Sequence, residues 1–308
     1  METRYNHLNE YLKNKFGERT LKICVDGGFT CPNRDGKCGT GGCTFCGEKG
    51  SGEHLKNLSI QNQIYSFLDS YRGERANSFI IYFQNFTNTY DTVENLRKKY
   101  DEALNINLSK YNNKKIVGLQ IATRPDCIDN DIIELLKEYN KRIYVCVELG
   151  LQTSNDIIAK NFNRGYNSDT FTKAAKLLNE NNIDVITHMM IGLPGETEQD
   201  LIDTINFINK HNIQGLKIHS TYIIEGTKLN EMYKNNEYTP MTYDYYMKWL
   251  TYTITHINPN VIIHRISGDA PKDLLVAPEW NLHKKKIMNG LDKILREQDL
   301  YQGIYFNK

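Results

Sequence analysis

The chain has 308 residues, of which 40% are apolar and 24% charged, and its formal net charge is +1. That balance excludes a disordered chain and a fibre, and it provides no global field of the kind that draws a protein to nucleic acid. The length exceeds an average domain, yet it suits a single α/β barrel with additions at its ends.

Residues 1–20 are polar and contain no apolar run of signal-peptide type, and no later window approaches a membrane span, which predicts a cytoplasmic protein with no membrane contact. From residue 21 onward, short β-branched and aromatic runs alternate with segments of helical period. Strands are predicted near 21–26, 78–83, 115–122, 142–149, 184–190 and 215–219. Between them lie amphipathic helices, as in Ile60, Ile64, Phe67 and Leu68 or Leu201, Ile202, Ile205 and Ile208. This order implies parallel strands with crossover helices, an α/β fold of six βα units. A helix near 242–255, a strand near 261–266 and a helix near 282–298 follow, placed to close one side of a barrel. The expected organisation is an N-terminal extension (1–20), a core (21–225) and a C-terminal extension (226–308). Both ends carry a slight excess of Lys and Arg, which permits a basic rim. Lys284, Lys285 and Lys286 form a basic run that reads as a solvated helix face or a phosphate contact.

Seven cysteines, an odd number, in a reducing compartment point to metal binding or catalysis rather than a disulfide framework. Four of them, Cys31, Cys38, Cys43 and Cys46, lie in one glycine-rich loop after the first strand, where parallel barrels carry their chemistry. Cys43 and Cys46 can grip one metal or neighbouring irons of a cluster. With Cys31 they would leave one iron of a [4Fe-4S] cluster open, whereas all four could close a zinc site. Cys24, Cys127 and Cys146 fall in or beside apolar strands and read as core thiols.

The ordered motifs VDGGFTCPNRDG, GGCTFC, YFQNFTNTY, ATRPD, VELGLQTSND, NRGY, IGLPGET and RISGDAP resemble the radical S-adenosylmethionine (SAM) superfamily, in particular its YtqA/YhcC subgroup. The resemblance covers nearly the whole chain and implies a partial (βα)6 TIM-like barrel with a C-terminal α/β extension. It also implies a [4Fe-4S] cluster on Cys31, Cys43 and Cys46, with SAM on the open iron and Cys38 unmatched to a ligand position. The implied SAM contacts are Phe45 beside the adenine, Gln84, Thr87 and Thr89 near the methionyl amino group, Glu148 and Gln152 at the ribose, Arg164 at the carboxylate, and the segment at Gly192 along the adenine edge. Polar residues at the remaining strand ends, Arg124, His188, His219 and Tyr222, together with His264 and Arg265, are candidates to face the substrate.

The same resemblance implies a substrate class and partners. Members of the subgroup are implicated at the wobble uridine of tRNA, converting 5-carboxymethylaminomethyl-(2-thio)uridine toward the 5-aminomethyl form ahead of a tRNA methyltransferase. The distantly similar Elongator catalytic subunit also acts there. An electron donor such as flavodoxin or ferredoxin would supply the cluster, SAM would yield a 5′-deoxyadenosyl radical, and no protein general base is assigned. A radical SAM enzyme for a small molecule or peptide, or a noncatalytic zinc or iron–sulfur module, are the alternatives.

Overall fold

The computed structural model describes residues 3–48, 50 and 58–306. Nine strands are described: β1 (Thr20–Val25), β2 (Ser78–Phe83), β3 (Lys115–Thr123), β4 (Tyr144–Gln152), β5 (Asp184–Ile191), β6 (Gly215–Ser220), β7 (Ile223–Ile224), β8 (Ile262–Arg265) and β9 (Leu275–Ala277). The helices are α1 (Leu8–Phe16), α2 (Ile60–Leu68), α3 (Tyr71–Glu74), α4 (Val93–Leu104), α5 (Asn130–Asn140), α6 (Asp156–Asn161), α7 (Ser168–Glu180), α8 (Glu198–Asn209), α9 (Lys228–Lys234), α10 (Tyr243–His256) and α11 (Lys284–Glu297). Seven strands form one parallel sheet in the order β1-β2-β3-β4-β5-β6-β8, so the strand of the C-terminal extension joins the main sheet as its seventh member. β7 and β9 pair separately in an antiparallel ribbon.

The crossover helices begin where a side-chain oxygen can satisfy an orphan amide. Ser59, Thr92, Asp129, Asn167, Thr197 and Thr242 each accept a backbone N–H in the first turn, and Thr197 with Asp200 forms a reciprocal capping box. Their apolar faces cover one side of the sheet. Strand residues alternate in direction, so Ile23, Val25, Phe79, Ile81, Leu119, Val147, Leu149 and Leu216 enter this apolar layer while their neighbours face the barrel interior.

Helix α1 closes the bottom of that interior. Leu8 and Leu12 pack with Ile80 and Ile262, against Val117 and Tyr144, all in the early parts of their strands. The basic residues of α1, Lys13 and Lys15, therefore lie at the end opposite the cysteine loop, so of the N-terminal cations it is Arg34 and Lys37, in that loop, that remain available to a rim. Lys49 and Lys308, counted in the expected rim, lie outside the described residues.

Candidate active site

The cysteine loop follows β1 at the C-terminal end of the sheet. Arg34 N–H donates to the Cys31 carbonyl at 2.8 Å, and Cys46 N–H donates to the Cys43 carbonyl at 3.0 Å. Asn33 Nδ2 donates to the Asn163 carbonyl at 2.5 Å and lies 3.8 Å from Cys43 Sγ, while Asn163 Nδ2 donates to the Gly42 carbonyl at 2.8 Å. Arg34 Nη2 ties down the carbonyls of Cys46 and Gly47 at 2.9 and 2.6 Å. Gly42 has φ +74°, and a Cβ there would sit 2.9 Å from Arg34 Nε, so this turn requires glycine. Burial pushes the Cys43 thiol up to about 12, and Cys46 and Cys31 are near enough for their charge to add to the rise. Cys38 is exposed and lies within electrostatic reach of Tyr90 and Cys127.

A cavity of about 570 Å³ opens beside this loop, within the range of small-molecule sites. Its wall includes Phe45 and Cys46 from the loop, Gln84 after β2, Gln152 at the end of β4, His188 on β5, and Lys217 and His219 on β6. The β4–β5 register shifts between Gly150 and Gln152, and Gln152 takes φ 61°, a local irregularity that re-aims its side chain. The lip carries Arg72, Tyr222, Arg265, Asp269, Lys272 and Lys284.

Below the cavity the barrel interior is polar, with Glu148 at its centre. Glu148 is 1% exposed and accepts from Tyr82 Oη at 2.5 Å, Lys217 Nζ at 2.6 Å and His188 Nε2 at 2.8 Å, with Gln120 Nε2 on its other oxygen. Burial would raise its pKa, but Lys217, His188 and Lys22 outweigh burial and hold the carboxyl well below the usual range. Lys217 is pushed down to about 7 by burial, an effect that Glu148 counters and that Lys22 and Arg265 reinforce. Lys22 Nζ lies 3.3 Å from His264 Nδ1, so side chains of the two edge strands, β1 and β8, meet across the open side of the sheet.

Phe45, Gln84, Gln152, His188, His219, Tyr222 and Arg265 thus converge on one cavity. Thr87 Oγ1 and Gln152 Oε1 are buried without a hydrogen-bond partner. The other six candidates, Glu148, Arg164, Thr89, Arg124, His264 and Gly192, have protein partners. Glu148 is enclosed by protein donors beneath the cavity. Arg164, 1% exposed, uses its guanidinium on the carbonyls of Leu151, Thr153 and Tyr166 and on Asp156, leaving it as a brace for the loop after β4. Thr89 bonds Thr123 and the Cys127 carbonyl. Arg124 pairs with Asp126 and donates to the Arg164 carbonyl, and both arginines stack 4.7 Å from the Tyr166 ring. His264 is held with Lys22 inside the barrel. Gly192 has its N–H on Glu196 Oε2 and its carbonyl on Tyr238 Oη, both at 2.7 Å. Of the cysteines read as core, Cys146 is buried, whereas Cys24 is half-buried and Cys127 lies half-buried in a 3-10 turn after β3.

The radical SAM superfamily profile matches residues 34–208, and a radical SAM C-terminal domain profile matches residues 213–297. The chain belongs to the radical SAM superfamily. It is 35% identical over its whole length to the uncharacterized protein YtqA of Bacillus subtilis, covering 94% of that protein. It is 33% identical over 93% of its length to Protein YhcC of Escherichia coli, covering 90% of it. Elongator complex protein 3 of Schizosaccharomyces pombe is 30% identical over 57% of this chain, which matches 32% of that protein. Among solved structures, the archaeal Methanocaldococcus infernus Elp3 with an N-terminal deletion superposes with a TM-score of 0.68 at 20% identity, over 92% of this chain and 64% of that one. The parallel half-barrel is therefore the radical SAM fold.

Radical SAM enzymes use a [4Fe-4S] cluster and SAM. The chemistry of the donor set suits that pair, although among the described residues no three His, Cys, Asp or Glu side chains are gathered closely enough to hold a metal ion. Three thiols share one tightly tethered loop, and the charges of two raise the third, a repulsion that binding a cationic iron centre would relieve. The adjoining cavity is lined by Gln152, whose Oε1 is buried without a partner and suits an ammonium or a hydroxyl. Among the described residues, no helix is long and apolar enough to cross a membrane. Several functional residues were not singled out in the sequence. Asn33, Arg34 and Asn163 belong to quoted motifs whose tethering role only the fold reveals. Lys22 and Lys217 did carry a signal, because each is a lone cation inside an apolar strand, TLKICV and GLKIHS.

Proposed function

We propose that this radical SAM enzyme modifies the wobble uridine of a tRNA, acting on a carboxymethylaminomethyl substituent. The observation that carries the reading is the charge of the cavity wall. Among the described residues it presents Arg72, Lys217, Arg265, Lys272 and Lys284 against the single carboxylate of Asp269, on a chain of net charge +1. A concentration of cations around one opening suits a polyanion whose base is unstacked into the cavity. Sequence likeness to Elongator complex protein 3 and, at 32% identity over 58% of the chain, to a tRNA uridine(34) acetyltransferase of Methanocaldococcus infernus supports the same substrate class.

In this reading Cys31, Cys43 and Cys46 hold the cluster, and Gln84, Thr87 and Gln152 contact SAM. Bound together, the two cofactors supply a hydrogen-abstracting radical. The chain contributes binding, alignment and the exclusion of water. Phe45 packs 5.4 Å from Phe162 and shields the loop, the Glu148 network fixes the cavity floor, and Arg72, Lys272 and Lys284 hold phosphates at the lip. A ferredoxin or flavodoxin donates the electron, and a tRNA methyltransferase takes the product. The test has two parts. Purified, reconstituted protein should bind tRNA with affinity that falls as salt rises, and tRNA from cells lacking the gene should accumulate the carboxymethylaminomethyl nucleoside at the expense of the aminomethyl form. Salt-independent or absent binding together with unchanged nucleosides rejects the tRNA reading in favour of a small-molecule or peptide substrate.

A further inference from the structure

We infer that the floor of the cavity is a carboxylate-binding site, in which Lys217 and His219, with Arg265 beside them, receive an acidic end of the substrate. The inference rests on the RNA reading above and goes further, because it names the group that the deepest part of the pocket selects.

The first support is hydrogen-bonding capacity. Lys217 is 4% exposed and lines the cavity; two of its three donors have partners, Glu148 at 2.6 Å and Tyr82 Oη at 3.0 Å. His219 Nε2 is buried without a partner in the same wall, its ring 5.1 Å from that of His188. His188 itself is committed to Glu148, so His219 is the member of the pair left to a ligand.

The second support is charge. Glu148 is shared by Lys217 and, at 3.9 Å, Lys22, while Asp269 is shared by Arg265 at 2.9 Å and Lys284. Lys217, Arg265 and Lys284 thus stand on the cavity wall with Asp269 as the one lining carboxylate among the described residues, and Glu148 beneath the floor is already shared with Lys22; a ligand carboxylate would reduce that excess. Burial, with neighbouring cations adding to it, depresses Lys217 to about 7 and Lys284 to about 8. A neutral or cationic substrate end placed here would leave the imbalance untouched, so the floor discriminates by charge.

A phosphate could satisfy the same donors, and the test separates it from a carboxylate. Two synthetic anticodon stem-loops are compared by fluorescence anisotropy on the reconstituted protein with SAM, one carrying a 5-carboxymethylaminomethyl wobble uridine and the other its methyl ester. Their phosphates are identical. The acid is expected to bind at least about 10-fold more tightly than the ester, the effect of one charge-assisted hydrogen bond. Lys217→Met is expected to bring the two to near equality, chiefly by weakening the acid. Circular dichroism and iron content check that this variant folds, and His219→Phe, which leaves the Glu148 pairing in place, is expected to remove a smaller share of the preference. Equal, tight binding of acid and ester to the wild type overturns the carboxylate site and leaves the RNA reading standing. A full preference retained in both variants also overturns it. Failure of both loops to bind rejects the RNA reading and this inference with it.

Discussion

The two faces of the seven-stranded sheet are made from alternate residues of the same strands, yet they do opposite things. On β4, Val145, Val147 and Leu149 enter the apolar layer under the helices, while Cys146 and Glu148 point into the barrel. The outer face is a packed core whose energy comes from apolar burial. The inner face is a hydrogen-bonded network around one carboxylate, capped below by α1 and open above to the cavity. Stability and chemistry are thus separated by a single residue step along a strand, and the separation can be tested residue by residue.

The largest effects are expected above the inner face, at the cluster loop. Cys31→Ala, Cys43→Ala and Cys46→Ala should each abolish the four-iron absorbance and iron content after anaerobic reconstitution, whereas Cys38→Ala should retain both. Loss of the cluster in Cys38→Ala alone would overturn the ligand set.

Adjacent substitutions on β4 come next. Glu148→Ala strands Lys217 and Lys22 in the interior and is expected to lower stability by about 3–5 kcal/mol, the usual consequence of breaking a buried pair. Leu149→Ala, one residue along, should lower it by about 2–5 kcal/mol through a cavity in the outer layer. Urea unfolding measures both. The two are told apart by SAM and RNA affinity, which Leu149→Ala should leave at the wild-type level and Glu148→Ala should weaken. If Leu149→Ala weakens binding as much as Glu148→Ala, the two faces are not functionally separate.

A charge-reversal at the lip sharpens the comparison from outside. Changing Lys284, Lys285 and Lys286 together to Glu should weaken RNA binding and reduce the slope of log K against log salt by about 0.7 for each phosphate that the helix no longer neutralises. An unchanged slope would move the RNA path away from α11.

The smallest effect concerns Glu196 after β5. Burial pushes its carboxyl up to about 8, against the lowering effect of the Gly192 and Leu193 amides. A folded pKa above the unfolded one means that its contribution is fully present below the ordinary carboxyl value and is lost as pH rises through about 8. Melting temperature measured from pH 5 to pH 9 should therefore decline less in Glu196→Gln than in the wild type; parallel declines would count against the shift.

Strand positions and the crossover order were legible because parallel strands buried on one face and amphipathic helices leave strong local periodicities, and β2 was placed to the residue. The cysteine loop was legible because a loop motif keeps its chemistry in a short contiguous stretch. Glu148 was rightly marked as unusual in an apolar strand, but a carboxylate in isolation says only that it needs a partner. Which partner it takes depends on Lys217, Tyr82, Gln120 and His188, contributed by four other strands. Arg164 shows the same limit, since its motif names a cation and only the folded loop decides that backbone carbonyls and Asp156 consume it.

What the sequence by itself determined is therefore the local part: the alternation of strand and helix, the caps, the glycine-dependent cysteine loop and the family to which those motifs belong. The tertiary structure decided which side chains meet. It brought Lys22 and His264 together from strands at opposite edges of the sheet, and it placed α1 at the bottom of the barrel. It also gathered Arg72, Arg265 and Lys284 at one opening. Contacts between residues far apart in the chain depend on sheet order and register, and neither composition nor periodicity carries that information.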